Sequence, residues 1–341
     1  MAAVTFASAL NQALRDALTA DEGVSIFGED VGVAGGVFRI TDGLARDFGD
    51  DRCFDTPLAE SGIVGLAIGM CMTGLRPVVE MQFDAFAYPA FEQITSHVAK
   101  MRNRTRGAIG LPIVIRVPYA GGIGGVEHHC DSSEAYYAHT PGLRVYAPGT
   151  VEDAYSLLRA AIDDPDPVVF LEPKRLYWSK AEVDLAALAE GRGVTAPGQA
   201  VVRRPGEDVT LVAYGPSLSV AMDAAEAAQD EGWSVEVVDL RTINPYDDDT
   251  VIESVRRTGR CVVVAEAQGF ASVGSEIAAR VQERAFHSLA APVLRVSGLD
   301  IPYPPPKVEH LHLPSVERVL DTIARLQWDD TPDLRYVGGA R

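Results

Sequence analysis

The spacing of apolar residues changes along the first half of the chain. Short runs rich in Val, Ile and Phe predict strands, and longer stretches with apolar residues every three or four positions predict helices. The predicted strands cover residues 24–28, 77–83, 112–117, 143–147 and 167–172. The predicted helices cover residues 6–17, 63–75, 88–102 and 151–162. Such alternation indicates an α/β domain with a mostly parallel sheet covered on both faces.

A second unit of the same kind follows a break in the pattern. Residues 182–202 are rich in Gly, Ala and charge and predict a linker. Beyond it, strands are predicted at 209–214, 235–240, 261–265 and 293–296, and helices at 217–229, 249–257, 274–286 and 315–325. The prolines in 301–306 require extended backbone there. We therefore predict a first domain over 1–185, a linker over 186–202, a second, smaller α/β domain over 203–330 and a tail over 331–341.

The charge balance excludes several classes of partner. The chain has 30 Lys and Arg against 48 Asp and Glu, a net charge of −18, so nucleic acid and anionic lipid are not expected partners. The longest stretch without charge, residues 61–75, is too short to cross a membrane. The beginning of the chain does not resemble a secretory signal, which predicts a cytoplasmic protein, or an organelle-matrix protein if a presequence was removed. The four separated cysteines predict reduced thiols.

Common nucleotide and hydrolase motifs are absent from the sequence. In the glycine-rich stretch at 122–127, Glu127 stands where a dinucleotide fingerprint requires its last glycine. The sequence contains no Gly-Lys pair for a phosphate loop, no HExxH and no GxSxG. The chemistry must therefore come from less familiar combinations of residues.

Three stretches carry candidate chemistry, each with an ordinary structural alternative. Glu60 precedes an apolar, glycine-rich helix, where a carboxylate either serves chemistry or simply supports the first turn. His128 and His129 follow four glycines, so they either exchange protons at a ligand or belong to a flexible loop, one solvated and the other capping the helix that begins near Ser132. A metal site is disfavoured, because neighbouring histidines in an extended loop point apart. Phe83 and Phe86 either stack on a heteroaromatic ligand or fill the core.

Taken together, these stretches closely resemble the beta subunit of the thiamine-diphosphate-dependent decarboxylase component of 2-oxo acid dehydrogenase complexes. The resemblance extends from residue 9 to about residue 320. Its most specific motifs lie at 27–32, 35–39, 54–65, 74–80, 88–91, 139–143 and 171–177. Several long motifs in the same order make a chance match improbable.

The resemblance implies a transketolase-like fold, with a pyrimidine-binding domain and a smaller C-terminal transketolase domain. In this family thiamine diphosphate lies between subunits, and the alpha chain holds its diphosphate and Mg²⁺ through a Gly-Asp-Gly motif. This chain has no Gly-Asp-Gly. The resemblance therefore implies an alpha partner in an α2β2 heterotetramer.

The resemblance also implies roles for individual residues. Glu60 corresponds to the glutamate that activates the aminopyrimidine ring of the cofactor, and His129 to the histidine that assists acyl transfer to the lipoyl group, with His128 as the adjacent alternative. Phe86, with Phe83 nearby, takes the place of an aromatic residue beside the pyrimidine. Relatives often carry Ser where this chain has Cys130.

Other implications concern ions, substrate and assembly. A structural K⁺ site of the family would correspond to Ala161, Ile162, Asp164 and Asp166. The motifs at 133–142 and 172–177 look more like branched-chain than pyruvate members, which favours branched-chain 2-oxo acids over pyruvate or acetoin. The acidic surface suits docking to a basic peripheral-subunit-binding domain of the lipoyl acyltransferase core. The alternative from another functional class is that the chain is a non-catalytic scaffold subunit.

Overall fold

A computed structural model describes residues 3–326, so the predicted tail at 331–341 and the last residues of the second predicted domain lie outside the described part. The strands are β1 (Ala3–Thr5), β2 (Val24–Gly28), β3 (Cys53–Asp55), β4 (Arg76–Glu80), β5 (Val114–Tyr119), β6 (Arg144–Tyr146), β7 (Val168–Pro173), β8 (Lys180–Glu182), β9 (Val201–Arg204), β10 (Val209–Ala213), β11 (Val235–Asp239), β12 (Thr242–Asn244), β13 (Cys261–Gln268) and β14 (Leu294–Gly298). The α-helices are α1 (Phe6–Ala20), α2 (Leu44–Phe48), α3 (Glu60–Met72), α4 (Met101–Arg104), α5 (Glu134–Ala138), α6 (Val151–Asp163), α7 (Leu185–Ala189), α8 (Ser217–Asp230), α9 (Asp248–Thr258), α10 (Val273–Ala285), α11 (Glu309–His312) and α12 (Val316–Ala324).

The first domain is built on a seven-stranded sheet with the order β12-β6-β7-β5-β4-β2-β3. All neighbouring strands in it are parallel except the β12–β6 pair. Every residue of β2, β5 and β7 is buried, as expected for central parallel strands covered on both faces. Helices α1 and α6 pack together on one face, and α3 packs on the other. The predicted α/β class is confirmed.

The second domain is built on a five-stranded sheet with the order β14-β13-β10-β11-β9, in which only β9 runs antiparallel. Helices α8 and α12 cover one face. Helices α9 and α10 cover the other face of this sheet. Their buried residues belong to the same apolar cluster as residues of the first domain, and this cluster includes Tyr119 of the first domain and Tyr214 of the second. The two domains therefore share a hydrophobic core.

A buried arginine fixes the segment between the domains. Arg241 is fully buried and donates to Asp153 of α6 at 2.7 Å. It also donates to the carbonyl oxygens of Thr195, Ala196 and Gln199, which lie in the predicted linker. Directly after Arg241, β12 joins the first sheet, although no strand was predicted there. The predicted domain boundaries stay a prediction.

The single helix predicted at 88–102 is divided into three pieces. A 3₁₀-helix spans Ala85–Ala90, a π-helix spans Gln93–Val98, and α4 follows. Pro89 lies inside the first piece and lacks the N–H that a continuous α-helix would need. The helical character was predicted from apolar spacing, whereas the change of pitch was not.

Candidate active site

The candidate site lies where the parallel strands of the first sheet end. The carboxyl ends of β2, β4, β5 and β7 point to the same edge, because these strands are parallel neighbours. Ligands of open α/β sheets bind outside this edge. The segments that follow β4 and β5 carry Phe83, Phe86, His128 and His129, and Glu60 lies after β3, a parallel neighbour of β2.

Four of these residues form one contact group at this edge, which we call the aromatic–histidine cluster: Phe83, Phe86, His128 and His129. The His129 ring lies 4.3 Å from the Phe83 ring and 5.4 Å from the Phe86 ring, centroid to centroid, in edge-to-face arrangements. His128 stacks on Phe86 at 5.8 Å. The sequence alone left core filling as an alternative, but both phenylalanines are only half-buried, so they line an accessible surface.

The two histidines do not point apart as their adjacency suggested. Residues Glu127–His129 form a 3₁₀ turn, and the two imidazole rings lie 4.2 Å apart. Burial, the neighbouring His128 and the charge of Lys174 together lower the pKa of His129. A half-buried histidine with a lowered pKa is a neutral proton acceptor at physiological pH.

Glu60 is the first residue of α3 and is buried, next to Glu29, which follows β2. Burial and the charge of Glu60 raise the pKa of Glu29, whose Oε1 is buried without a hydrogen-bond partner among the described residues. Within residues 3–326, no hydrogen bond or ring contact joins Glu60 to the aromatic–histidine cluster. Phe38, in the segment after β2, extends the aromatic contacts of the cluster, because its ring lies 5.5 Å from that of Phe83, centroid to centroid.

Sequence reasoning missed the buried polar residues behind the cluster. Asp84 is fully buried and accepts hydrogen bonds from the backbone N–H of Ser133, at 2.9 Å, and from its hydroxyl. Burial raises the pKa of Asp84 to about 7 and lowers that of Lys174, which is 1% exposed, to about 8. The only sequence signal was a charged residue directly after a buried strand, as Lys174 follows β7.

A second buried group supports the strand ends. The Arg116 guanidinium, which is fully buried in β5, donates to Glu172 of β7 at 2.6 and 2.9 Å and to Glu80 of β4 at 2.6 Å. The Tyr177 hydroxyl donates to Glu172 at 2.7 Å. The three charged groups lie on adjacent strands and fix the edge from which the site loops extend.

The residues of the family's potassium site receive arginine donors. Arg76 donates to the carbonyl oxygen of Ile162 at 3.0 Å. Arg144 lies 3.0 Å from Asp164, and Arg102 lies 2.5 Å from Asp166. The potassium site stays a prediction from the resemblance.

Residues 3–326 contain no group of three or more His, Cys, Asp or Glu side chains that could hold a metal ion. None of the helices in this part of the chain has the length and apolar character needed to cross a membrane.

Two family models match the chain. The model described as transketolase, pyrimidine binding domain, matches residues 2–179, and that described as transketolase, C-terminal domain, matches residues 198–319. Among solved structures, a chain described as a split gene transketolase, inactive beta4 tetramer, superimposes with a TM-score of 0.77 over 95% of this chain and 98% of that one, at 22% identity. That likeness concerns the fold, and it agrees with the predicted transketolase-like architecture.

Curated proteins are similar over nearly the full length. The 3-methyl-2-oxobutanoate dehydrogenase subunit beta of Mycobacterium tuberculosis is 53% identical over 95% of this chain and 92% of its own. The pyruvate dehydrogenase E1 component subunit beta of Leifsonia xyli is 54% identical over 93% of each chain. The protein with the same description in Bacillus subtilis is 45% identical over 96% of this chain and 99% of its own.

Proposed function

The chain belongs to the family of 2-oxo acid dehydrogenase beta subunits with transketolase-type domains, and from this membership we propose that it forms the decarboxylating component of such a complex together with an alpha subunit. The observation that carries the proposal is the 53% identity over 95% of the chain to a 3-methyl-2-oxobutanoate dehydrogenase beta subunit. The proposed reaction is oxidative decarboxylation of a branched-chain 2-oxo acid, with transfer of the acyl group to the lipoyl group of an acyltransferase core.

The described residues fit half of a thiamine diphosphate site. The half-buried rings of Phe83 and Phe86 offer apolar faces of the kind that an aminopyrimidine ring packs against. The Oε1 of Glu29, which has no hydrogen-bond partner among the described residues, and the carboxylate of Glu60 are hydrogen-bond acceptors in the segments that follow β2 and β3. When bound, this cofactor supplies the carbon nucleophile and the electron sink that decarboxylation of a 2-oxo acid needs.

In this proposal Glu60 holds and exchanges a proton with the aminopyrimidine ring. The residue is buried at the start of α3, and the neighbouring Glu29 has a raised pKa. Burial and the neighbouring Glu60 raise the pKa of Glu29, so the Glu29 carboxyl holds a proton more readily than an exposed one does.

His129 acts at the acyl end of the reaction. Its imidazole is half-buried between Phe83 and Phe86, and its lowered pKa keeps it neutral near pH 7. A neutral imidazole there can accept a proton, and its protonated form can deliver one, when the lipoyl disulfide is reduced: the S–S bond breaks, one sulfur takes the acyl group and the other is released as a thiol. His128 is exposed and stacks on Phe86, which leaves it as the second candidate for this role.

The chain needs partners for this activity. It lacks the Gly-Asp-Gly sequence expected of the diphosphate and Mg²⁺ half of the site, so we propose that an alpha subunit supplies that half in an α2β2 heterotetramer. The net charge of −18 suits docking of a basic peripheral-subunit-binding domain of the acyltransferase core.

Pyruvate is the second candidate substrate. A pyruvate dehydrogenase beta subunit is 54% identical to this chain, about as similar as the branched-chain relative. The motifs at 133–142 and 172–177 favour the branched-chain class. Substrate preference therefore requires a direct measurement.

The test is decarboxylation by the chain assembled with its alpha partner, thiamine diphosphate and Mg²⁺, with an artificial electron acceptor. We expect faster turnover of 3-methyl-2-oxobutanoate than of pyruvate. Substitution Glu60→Gln removes the exchangeable carboxylate and is expected to lower kcat at least 100-fold, because general acid–base groups contribute about 10²–10⁴-fold. The matched control is Glu182→Gln, which changes an exposed residue of β8 and should leave kcat unchanged.

Each outcome of this test separates the hypotheses. Preference for pyruvate would support the proposed mechanism but contradict the proposed branched-chain substrate. Near-normal turnover of the Glu60→Gln complex would remove the assigned role of Glu60. An assembled wild-type complex that decarboxylates neither acid would favour the scaffold alternative.

A further inference from the structure

Beneath the glycine-rich histidine loop, residues 120–133, lies a buried charge cluster that the proposed reaction does not use. We call Lys174, Asp84, Glu266 and the half-buried Asp131, which belongs to the loop itself, the lysine cluster. Lys174 is 1% exposed, and within the described residues its Nζ has no hydrogen-bond partner. An ammonium group buried in this way is costly unless nearby anions compensate its charge.

Carboxylates of the lysine cluster hold both ends of the histidine loop. At the end of the loop, Asp84 accepts two hydrogen bonds from Ser133. At its start, Glu266 of β13 accepts a hydrogen bond from the Gly121 N–H at 2.5 Å. The loop is thus attached to the first domain at one end and to the second domain at the other.

None of the three carboxylates of the lysine cluster forms a hydrogen bond with the Lys174 Nζ, but their charges act on it. The charges of Asp84, Glu266 and Asp131 stabilise its protonated form, and its own charge acts on Asp84, Asp131 and His129. The other nearby cation, Arg175, is already bonded to Glu266 and to the carbonyl oxygen of Pro216. The neighbouring Cys130 is a neutral thiol, because burial raises its pKa to about 11.

We propose that Lys174 is a positioning residue: its buried cation compensates Asp84 at one end of the histidine loop, while Arg175 pairs with Glu266 at the other, and this compensation holds His129 against Phe83 and Phe86. This inference rests on the proposed function only for the chemical role of His129. The attachment itself follows from the hydrogen bonds and burial of the lysine cluster.

The same cation affects the protonation of His129. The charged groups that act on His129 are His128, on the same turn, and Lys174, which follows β7, and both lower its pKa. Removing the charge of Lys174 removes one of these contributions, so the pKa of His129 should rise. At a given pH near neutrality, less of the imidazole would then be in the neutral form.

The test measures the protonation of His129 without relying on activity. The full chain, alone and assembled with its alpha partner, is treated with diethyl pyrocarbonate over a pH series, and modification of each histidine is followed by mass spectrometry. Only the neutral imidazole reacts, so the midpoint reports the pKa. We expect Lys174→Met to raise the midpoint of His129 by about 0.5 pH unit or more, the effect of one charge at close range in a partly buried place.

Three further variants test whether the shift comes from the charge of Lys174. Lys174→Arg keeps the charge and should keep the midpoint of His129 within error of the wild type. Lys180→Met removes an exposed lysine of β8 and should change nothing. If Lys174→Met does not fold, Lys174→Gln keeps a polar group in the cavity and has the same expected result.

An unchanged His129 midpoint in a folded, charge-free variant would overturn the inference. In the assembled complex, acyl transfer to a lipoyl domain should fall more than decarboxylation with an artificial acceptor, and equal losses would contradict a specific action on His129. A wild-type complex without decarboxylation would instead remove the proposed function and leave the titration result standing.

Discussion

At the scale of single residues, one buried arginine neutralises two buried carboxylates. Arg116 has no exposed surface, yet it balances Glu80 and Glu172 with three hydrogen bonds of 2.6–2.9 Å. The bidentate contact with Glu172 matches the planar guanidinium to the carboxylate, which an ammonium group cannot do. Hydrophobic patterning marks β5 as a strand but gives no reason for an arginine in its centre. The reason becomes visible only when two other strands bring their carboxylates alongside.

Substitution Arg116→Met should therefore be strongly destabilising. It leaves two buried carboxylates without a cation, and breaking a buried ion pair on one side costs about 3–5 kcal/mol. Chemical denaturation of the chain would measure the change in the free energy of unfolding. Arg46→Met, which breaks a surface ion pair in which Arg46 is 77% exposed, should leave stability unchanged. Equal effects of the two substitutions would contradict this account.

At the scale of elements, tight turns set the distance between helices and strands. Gly142 lies between α5 and β6 with a φ of +102°, and a side chain there would overlap the backbone carbonyl oxygen of Ala99. The position thus requires glycine for two reasons, the positive φ and the close approach of another backbone. The sequence shows the glycine in the motif at 139–142 but not the segment that it touches.

The two requirements can be separated by a matched pair of substitutions. Gly49→Ala places a methyl group at a φ of +89° with no atom nearby, and should cost about 1 kcal/mol from backbone strain alone. Gly142→Ala adds the overlap with Ala99 and should cost distinctly more, or prevent folding. Thermal and denaturant unfolding of both variants would measure the difference. A Gly142→Ala chain as stable as Gly49→Ala would show that the turn relaxes freely.

At the scale of the whole molecule, buried carboxyl groups join the two domains. Glu134 of α5 accepts a hydrogen bond of 2.9 Å from the hydroxyl of Tyr214, which follows β10 in the second domain. Burial raises the pKa of Glu134 to about 7. The folded chain therefore binds the proton of Glu134 more tightly than the unfolded chain does.

Because of this difference, the free energy of unfolding depends on pH. Because the folded pKa lies above the unfolded value of about 4.5, the contribution of Glu134 is full below pH 4.5 and is lost as pH rises towards 7. Glu134→Gln keeps an acceptor for Tyr214 and carries no charge. The variant should therefore gain stability over the wild type across this window, by roughly 3 kcal/mol at most.

Unfolding measured at pH 5 and pH 7.5 tests this expectation. The gain of the Glu134→Gln variant should be small at pH 5 and larger at pH 7.5. The free energy of unfolding of both proteins should still vary with pH, because burial also raises the pKa of Asp84 to about 7 and that of Asp239 to about 6. A gain that is equal at both pH values would assign the effect to packing and not to ionisation.

The sequence by itself determined the fold class and most of the elements, because apolar spacing records which faces of a helix or strand are buried. It also singled out Glu60, Phe83, Phe86 and His129, since glycines, adjacent histidines and aromatic runs stand out locally. The tertiary structure alone decided which of these side chains meet. It grouped the two phenylalanines with the histidines, and it placed Glu60 beside Glu29.

Long-range polar partners could not be obtained from local patterns. Asp84 and Ser133 are separated by 49 positions, and Gly121 and Glu266 by 145. Only the packing of parallel strands and of two domains brings such groups together, and only burial then changes their pKa values. Lys174 shows both effects, because it is an ordinary lysine in the sequence and a buried cation beneath the histidine loop in the fold.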